Sequence, residues 1–294
     1  MKKFIIMFIA FILLLALIIG QCNDDTSELS YVEEPDIEQT EDTGIERNSL
    51  VSTIEEDNND TSEQTIVVNS VEIPKILRVI PEQIIKRTAY TLSYNKETKC
   101  PNWVAWYLSA DHSDGDWARS NDYREDYTVP SPRATNEDYK GSIWSRGHMC
   151  PAGDNKWDAV AMSETFLLSN MCPQDRSLNS GFWNQVEMDC RKWAKKYGGV
   201  YIVCGPLYYK NDHETIGINQ IVVPEAFYKV ILRLNPRPKA IGFIVKNNEG
   251  KKKKDQYVNA VDEVERITGI DFFPALPDDI ENEVEAYANL DDWR

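Results

Sequence analysis

The acidic stretch at residues 23–64 most limits how this chain can fold. It holds 15 Asp and Glu residues against a single basic residue, Arg47, and Ser, Thr and Asn fill much of the remainder. A segment of this composition buries too little apolar surface to offset the entropy lost on ordering. We therefore expect residues 23–64 to form a disordered tether and residues 65–294 to form the folded domain.

The 22 residues before the tether have the pattern of an export signal. A basic Met-Lys-Lys start precedes an apolar run at residues 4–19, shorter than the roughly 20 apolar residues that span a bilayer comfortably. Cys22 stands where the lipobox it resembles has its lipidated cysteine, although Gln21 replaces the usual small residue. We expect an exported lipoprotein of the cell envelope or surface, anchored to the membrane through Cys22. An uncleaved anchor and ordinary secretion are the alternatives.

The charge of the chain is concentrated outside the folded domain. The net charge is −16, of which the tether carries −14 and residues 1–22 carry +2, so residues 65–294 carry −4. A domain this mildly acidic does not exclude a nucleic-acid partner, although the total charge of the chain would suggest otherwise.

Five cysteines follow Cys22, and in an exported protein they can form disulfides. They are Cys100, Cys150, Cys172, Cys190 and Cys204. Because five is an odd number, at least one has no partner within the chain. A zinc site is the weaker alternative, since His148-Met149-Cys150 is the only close His/Cys pair and no Cys-x-x-Cys accompanies it.

Hydrophobic patterning predicts an antiparallel sheet with a few helices. Two pairs of β-prone runs, each joined by a turn-rich break, predict hairpins of 88–94 with 103–110 and of 227–234 with 240–245. The apolar run 200–203 predicts a central strand. Helical spacing predicts helices over 157–168, 181–196 and 258–267, and residues 111–142 predict a long loop. Strands without a regular βαβ repeat indicate an α+β domain.

The candidate chemistry lies between Trp144 and Trp193. Hydrolysis of a phosphodiester needs a base to activate water and cations to neutralise the charge that develops on the phosphate. His148 follows Arg146 at a distance of two residues, whereas His112 and His213 lie in acidic, polar surroundings typical of a surface. His148 is therefore the candidate base, with a purely structural histidine as the alternative.

Three ordered motifs occur in this stretch. They are Ser-Arg-Gly-His at 145–148, Asn-Met-Cys-Pro-Gln at 170–174 and Leu-Asn-Ser-Gly-Phe-Trp-Asn-Gln-Val-Glu at 178–187. In order and spacing they resemble the Asp-Arg-Gly-His, Asn-x-x-Pro-Gln and Leu-Asn-x-Gly-x-Trp-x-x-x-Glu motifs of the DNA/RNA non-specific endonuclease family. The resemblance spans roughly residues 76–290. It implies an α+β fold with an antiparallel sheet core and a ββα-metal finger as active site.

The resemblance also implies an activity and roles for the basic residues. It implies a Mg²⁺-dependent endonuclease that cuts DNA and RNA with little sequence preference. His148 would be the general base that activates water. Arg146 and Arg119 would bind the scissile phosphate and stabilise its transition state; Arg119 begins an Arg-x-x-x-aromatic-Arg run that is also similar to the family. The basic run at 251–254 is either a further nucleic-acid contact or a solvated patch.

The resemblance assigns the metal site to three further residues. Asn179 would be the one direct protein ligand of a hydrated Mg²⁺, for which Mn²⁺ is a possible substitute, and Glu187 would hold water of its hydration shell. Asn170 would orient the histidine region. If 179–187 were one regular helix, Asn179 and Glu187 would lie about 80° apart and both could face one site. The structural alternatives are a helix cap for Asn179 and a solvated position for Glu187.

One position departs from the family motif. Ser145 replaces the aspartate of Asp-Arg-Gly-His. We expect this change to loosen the hydrogen bonding around Arg146 and His148. It also supports the alternative function, a surface lipoprotein that keeps the nuclease fold but binds nucleic acid with little or no cleavage.

Overall fold

The computed structural model describes residues 70–294 and, upstream of them, the backbone of two short paired strands at 52–54 and 64–66. The export signal and Cys22 lie outside the described residues. So does most of the expected tether, and the strand pair falls at its C-terminal end. The boundaries 1–22, 23–64 and 65–294 stay predictions. Within the described part of the chain, no helix combines the length and apolar character needed to cross a membrane.

Fifteen strands and six α-helices make up the described structure. The strands are β1 (Ser52–Ile54), β2 (Gln64–Ile66), β3 (Lys75–Ile76), β4 (Gln83–Lys86), β5 (Thr91–Asn95), β6 (Cys100–Ser109), β7 (Ser145–His148), β8 (Met171–Gln174), β9 (Gly199–Leu207), β10 (Thr215–Ile216), β11 (Ile221–Val222), β12 (Ala226–Arg233), β13 (Lys239–Lys246), β14 (Val258–Asn259) and β15 (Ile270–Asp271). The helices are α1 (Asn136–Tyr139), α2 (Ala159–Glu164), α3 (Arg176–Leu178), α4 (Asn184–Tyr197), α5 (Val261–Thr268) and α6 (Asp278–Glu285). A π-helical turn covers Asn179–Trp183, and short 3-10 turns cover Ala152–Asp154, Leu168–Asn170, Lys254–Tyr257 and Leu290–Trp293.

A seven-stranded antiparallel sheet forms the centre of the domain, in the order β14-β13-β12-β9-β6-β5-β4. Both expected hairpins are present, as β5–β6 and β12–β13. The expected central strand is β9, which lies between β6 and β12. The α+β class and the antiparallel sheet core are thus confirmed.

The sheet is covered on both faces because its strands alternate between two cores. On β9, Ile202 and Cys204 belong to one core and Tyr201 and Val203 to the other, as the two-residue period of a strand requires. Helix α4 covers the first face through Val186, Cys190, Trp193 and Ala194. Helices α5 and α6 cover the second face through Val261, Val264 and Val284.

A two-stranded antiparallel unit, β7–β8, stands apart from the main sheet and is followed along the chain by α3, the π-helical turn and α4. This strand-strand-helix order is the ββα arrangement expected for the site. Its strands pair His148 with Met171 and Ser145 with Gln174. The long segment between β6 and β7 contains only α1, a helix of four residues, as the loop prediction required.

Three helix predictions were wrong in their bounds. Helix α2 begins only after Asp158, whose carboxylate accepts a hydrogen bond from the Ala161 amide and caps the helix there. The helix expected from residue 181 is interrupted, because Gly181 has non-helical angles (φ −100°, ψ −107°). Residues 258 and 259 pair with β13 as β14, so α5 starts at Val261; Gly269 ends it in the left-handed region, as expected.

The five cysteines of the domain are all buried free thiols, with no disulfide among the described residues. A zinc site of His and Cys ligands is also not formed within the described part of the chain. The one group of three metal-ligating side chains found there consists of carboxylates and lies elsewhere in the domain.

Candidate active site

The backbone around His148 requires a glycine before it. His148 ends β7, and Gly147 pairs with Cys172 on β8. A Cβ atom at position 147 would lie 2.3 Å from Oε1 and 2.6 Å from Cβ of Gln174. No side chain fits there without moving the strand pair, so Gly147 allows the close approach that fixes the position of His148.

The His148 ring is enclosed by aromatic side chains. Its edge-to-face neighbours are Phe166, at 5.0 Å between ring centroids, and Tyr123, at 5.7 Å. The side chain is 8% exposed, and Nε2 is buried without a hydrogen-bond partner. Burial, and after it the nearby cations Arg119 and Arg146, lower the pKa of His148 to about 3. The ring is therefore neutral at pH 7 and able to accept a proton.

The buried neutral histidine predicts a loss of stability in acid. The folded-state pKa of about 3 lies below the ordinary 6.5. Between these two values only the unfolded chain binds the proton. The contribution of His148 to the free energy of unfolding is therefore complete above pH 6.5 and is lost as the pH falls toward 3. From pH 7.5 to 5 the loss is about 2 kcal/mol. The free energy of unfolding should be measured in denaturant at both pH values. Its fall between pH 7.5 and pH 5 should be about 2 kcal/mol smaller in His148→Ala than in wild type. An equal fall in both proteins would contradict the prediction.

Two arginines converge on Tyr123 beside His148. The Arg146 guanidinium lies 4.0 Å from the Tyr123 ring centroid and donates to Oδ1 of Asn136 at 2.6 Å. The Arg119 guanidinium donates to the Tyr123 hydroxyl at 3.1 Å and lies over the Phe166 ring at 4.8 Å. Cation–π contact and hydrogen bonds thus hold both guanidinium groups at one wall of a cleft.

Sequence reasoning missed Arg191, a third arginine in the cleft. It donates from Nη1 to Oδ1 of Asp154 at 2.7 Å, and Asp154 is buried and also accepts from Nε1 of Trp106. Burial acts to lower the pKa of Arg191, but Asp154 and Glu187 outweigh it and raise that pKa. Arg191 lies four residues after Glu187 on α4, a spacing that puts both on one helix face and could have identified it.

Asn179 is oriented by the residue that departs from the family motif. Its Nδ2 donates to Oγ of Ser145 at 3.0 Å, and Ser145 in turn donates to the Gln174 carbonyl at 2.8 Å. No hydrogen bond from the described residues reaches Oδ1 of Asn179. The Ser145 hydroxyl thus bonds Asn179 and Gln174, and the expectation that the change from aspartate loosens the bonding around Arg146 and His148 stays a prediction.

Glu187 lies half-buried in the first turn of α4, on the same cleft. The pKa of Glu187 is raised to about 7, chiefly by burial and also by Asp154, against the opposing effect of Lys229. Lys229 is fully buried behind it, with Nζ over the rings of Trp106 and Trp183 at 5.0 and 4.7 Å. The Glu187 carboxylate has no hydrogen-bond partner among the described residues, so it is free to bind a cation or water.

Asn170 lies behind the cleft and holds the segment after His148. Its Nδ2 donates to the carbonyl oxygens of Cys150 and Thr165, and its Oδ1 accepts from the Cys150 amide, each at 2.9 Å. Its backbone carbonyl accepts from the Met149 amide. All the polar atoms of this buried amide are thus used to fix the chain next to His148.

The cleft has a volume of about 360 Å³ and brings together five of the six predicted site residues. They are Arg119, Arg146, His148, Asn179 and Glu187. Its lining residues that sequence reasoning missed include Tyr123, Ser180, Asn184 and Arg191. The assumption of one regular helix over 179–187 was wrong, because the bend at Gly181 intervenes. The bent chain nevertheless keeps Asn179 and Glu187 on one cleft.

The basic run at 251–254 lies outside this cleft. Lys254 forms an ion pair with Asp189, and Lys252 lies 3.9 Å from Glu249. Neither residue lines the cleft.

Comparison with known proteins places the chain in one family. A model of the DNA/RNA non-specific endonuclease family matches residues 68–279. The chain is 40% identical over 207 residues to "Nuclease EXOG, mitochondrial" of Mus musculus, which covers 64% of this chain and 56% of that protein. It is 35% identical over 209 residues to "Nuclease C1" of Cunninghamella echinulata var. echinulata, covering 65% of this chain and 83% of the relative.

Its fold is similar to that of EndoG in the crystal structure of the EndoG/EndoGI complex. The TM-score is 0.63 at 29% sequence identity, and the match covers 67% of this chain and 87% of that one. The matched region spans only 56% of the mouse EXOG sequence, so the activity of that whole protein is not transferred by similarity alone. The extent of the family match, together with the Nuclease C1 relative, decides the classification: the chain belongs to the DNA/RNA non-specific endonuclease family.

Proposed function

We propose that this protein is a divalent-metal-dependent endonuclease that hydrolyses phosphodiester bonds of DNA and RNA without sequence specificity. The observation that carries the proposal is a single cleft holding a neutral histidine, three arginines, an unbonded amide oxygen and a half-buried carboxylate. These are the groups that phosphodiester hydrolysis requires.

The arginines would bind the substrate and stabilise the charge that develops on it. Arg119 and Arg146 are held by Tyr123 and Asn136, and Arg191 is held by Asp154. Fixed guanidinium groups suit phosphate oxygens because they present several N–H donors in one plane. Contacts to phosphate carry no base information, which agrees with cleavage that is independent of sequence.

His148 would act as the general base. Burial and the two neighbouring arginines keep it neutral at physiological pH, so it can take a proton from the attacking water. Asn170 would position it by clamping Met149 and Cys150. The proton would therefore move to the His148 ring while the arginines hold the phosphate.

Asn179 and Glu187 would hold Mg²⁺, with Mn²⁺ as a possible substitute. The residues fit a hydrated ion: Oδ1 of Asn179 accepts no hydrogen bond from the described residues, and the Glu187 carboxylate has no partner in the part of the chain described. A neutral amide with one carboxylate suits Mg²⁺, which keeps most of its waters. The ion would supply charge neutralisation at the phosphate.

The test is hydrolysis of plasmid DNA and of RNA by the purified full-length protein. With Mg²⁺ both substrates should be degraded, and EDTA should stop both reactions. If the folded protein cuts neither substrate with Mg²⁺ or Mn²⁺ but still binds DNA with an affinity that falls as salt rises, the enzyme proposal is overturned in favour of the non-cleaving alternative. That alternative gains little from Ser145, whose hydroxyl supports Asn179.

The role of Ser145 gives a separate prediction. Ser145→Ala should raise the Mg²⁺ concentration needed for half-maximal activity about tenfold, because the Asn179 amide loses the partner that orients it. The rate at saturating Mg²⁺ should change little. Ser142→Ala, upstream and outside the cleft, is the control. Unchanged Mg²⁺ dependence in Ser145→Ala would show that the hydrogen bond has no such role.

We also propose that residues 1–22 export the chain and that Cys22 carries a lipid anchor. The support is the basic start, the apolar run and the position of the cysteine. In a bacterial host, the wild-type chain should fractionate with membranes, whereas Cys22→Ala should lose a lipid label. Equal labelling of both chains would refute the anchor.

A further inference from the structure

A group of carboxylates lies on the face of the sheet opposite the nuclease cleft. Asp262 and Glu265 project from α5 and Glu285 from α6, and one ligand oxygen of each lies within 4.8 Å of the other two. Both helices pack on the second core, whereas α4, which carries Glu187, packs on the first. The group is therefore separate from the site described above.

Glu285 distinguishes this group from an ordinary acidic cluster on a protein surface. It is 6% exposed, and its Oε1 atom is buried without any hydrogen-bond partner. A buried, unpartnered polar oxygen costs free energy comparable to a lost hydrogen bond. One carboxylate oxygen of this side chain lies within 4.8 Å of the Asp262 and Glu265 oxygens, so a buried carboxyl with an unsatisfied oxygen belongs to the group.

No cation of the described residues compensates these charges. None of the ion pairs formed there includes Asp262, Glu265 or Glu285. Arg266, on the same helix, is occupied by Glu263. Burial, and after it the neighbouring carboxylates with Glu265 first among them, raise the pKa of Glu285 to about 9. Among the described residues, the negative charge of the group therefore has no paired cation.

The arrangement suits one class of cation. Three carboxylate oxygens that lie within 4.8 Å of one another can contact one hard cation, and the flexible coordination of Ca²⁺ accepts such a set without the near-ideal octahedron that Mg²⁺ demands. The Glu265 carboxylate is fixed by the Phe272 amide, which donates to Oε1 at 2.7 Å. Asp262 is exposed at the rim, so water can complete the six to eight ligands that Ca²⁺ takes.

We propose that Asp262, Glu265 and Glu285 form a Ca²⁺ site that joins α5 to α6. This site goes beyond the proposed nuclease function and does not depend on it. Binding of Ca²⁺ displaces the proton of the Glu285 carboxyl, gives its buried oxygen a partner and links the two helices through one shared ion. It therefore stabilises the folded protein without contacting the substrate.

The experiment is thermal unfolding of the EDTA-treated full-length protein, titrated with CaCl₂ and in parallel with MgCl₂. At a Ca²⁺ concentration about a hundred times its Kd, Tm should rise by roughly 5 °C, and MgCl₂ at the same concentration should give a smaller rise. In Glu285→Gln the Ca²⁺-dependent rise should be lost, while Tm without Ca²⁺ should stay close to that of wild type, because the neutral amide resembles the protonated carboxyl that a pKa of about 9 gives Glu285.

Three further variants show whether the Ca²⁺ effect arises at this group of carboxylates. Glu263→Gln, on the same helix but paired with Arg266, should keep the full Ca²⁺ effect, and so should Asn179→Ala, which alters the nuclease cleft. Asp262→Asn, at an exposed position, should weaken the Ca²⁺-dependent rise in Tm. It takes the place of Glu285→Gln if the Glu285 variant does not fold. The proposal is overturned if wild type shows no Ca²⁺-dependent rise, if Mg²⁺ gives Asn179→Ala a rise equal to that with Ca²⁺, or if the rise with Ca²⁺ disappears in Asn179→Ala but persists in Glu285→Gln.

Discussion

Replacing His148 by alanine is expected to lower the rate of DNA and RNA hydrolysis about 10³-fold at saturating Mg²⁺. The variant loses the proton acceptor, but the three arginines, each held by its own partner, remain in place. Substrate affinity should therefore stay within about threefold of wild type, since phosphate contacts supply most of it. Single-turnover rates and a binding assay on the same substrate separate the two effects.

The matched control for this variant is His112→Ala. The His112 ring stacks on Trp157, with centroids 4.8 Å apart, and lines no part of the cleft. We expect wild-type activity from it. If His148→Ala retained more than a tenth of the wild-type rate while folded, as judged by circular dichroism, another group would have to be the base.

Replacing Asn179 by alanine should lower activity at about 1 mM Mg²⁺ by more than 100-fold, since even loss of a residue that supports a ligand costs 10–100-fold. The rate should recover in part as Mg²⁺ is raised, because the variant weakens metal binding and leaves His148 intact. A helix-capping role would instead lower Tm without changing the Mg²⁺ requirement. The structure contains no capping hydrogen bond from the Asn179 side chain.

Asn179→Asp tests whether residue 179 binds the metal directly or acts only through the shape of its side chain. It keeps an oxygen at the ligand position but loses the Nδ2 donor to Ser145. We expect its Mg²⁺ requirement to lie between those of wild type and Asn179→Ala. If the aspartate variant were as impaired as the alanine variant at every Mg²⁺ concentration, direct coordination by residue 179 would be refuted.

The sheet was predictable because its strands follow local rules. Alternation and turn residues identify β5–β6 and β12–β13, and a short apolar run identifies β9. Helix α6 went unpredicted, since its sequence, Asp-Asp-Ile-Glu-Asn-Glu-Val-Glu, has few apolar residues; it is held by Val284, which contacts a core that other segments build. Such a helix depends on tertiary packing more than on its own periodicity.

The site was predictable only as far as its motifs extend. The residues of the three motifs and Arg119 were identified, and five of the six candidates line one cleft. Tyr123 and Asp154 could not be assigned, because their importance lies in contacts with Arg119, Arg146 and Arg191 that no local spacing reveals. The carboxylate group of α5 and α6 is likewise formed by residues up to 23 positions apart in sequence.

The π-helical turn at Asn179–Trp183 makes this part of the chain sensitive to length. One residue of helix corresponds to a rotation of about 100° and a rise of about 1.5 Å, and the turn with its bend at Gly181 sets the orientation of Asn179 relative to Glu187. Deleting Ser180 would rotate the Asn179 amide away from the carboxylate, whereas a deletion after Tyr197 would leave both in place. In evolution, the exposed position of Ser180 should therefore accept another side chain more readily than this segment accepts an insertion or a deletion.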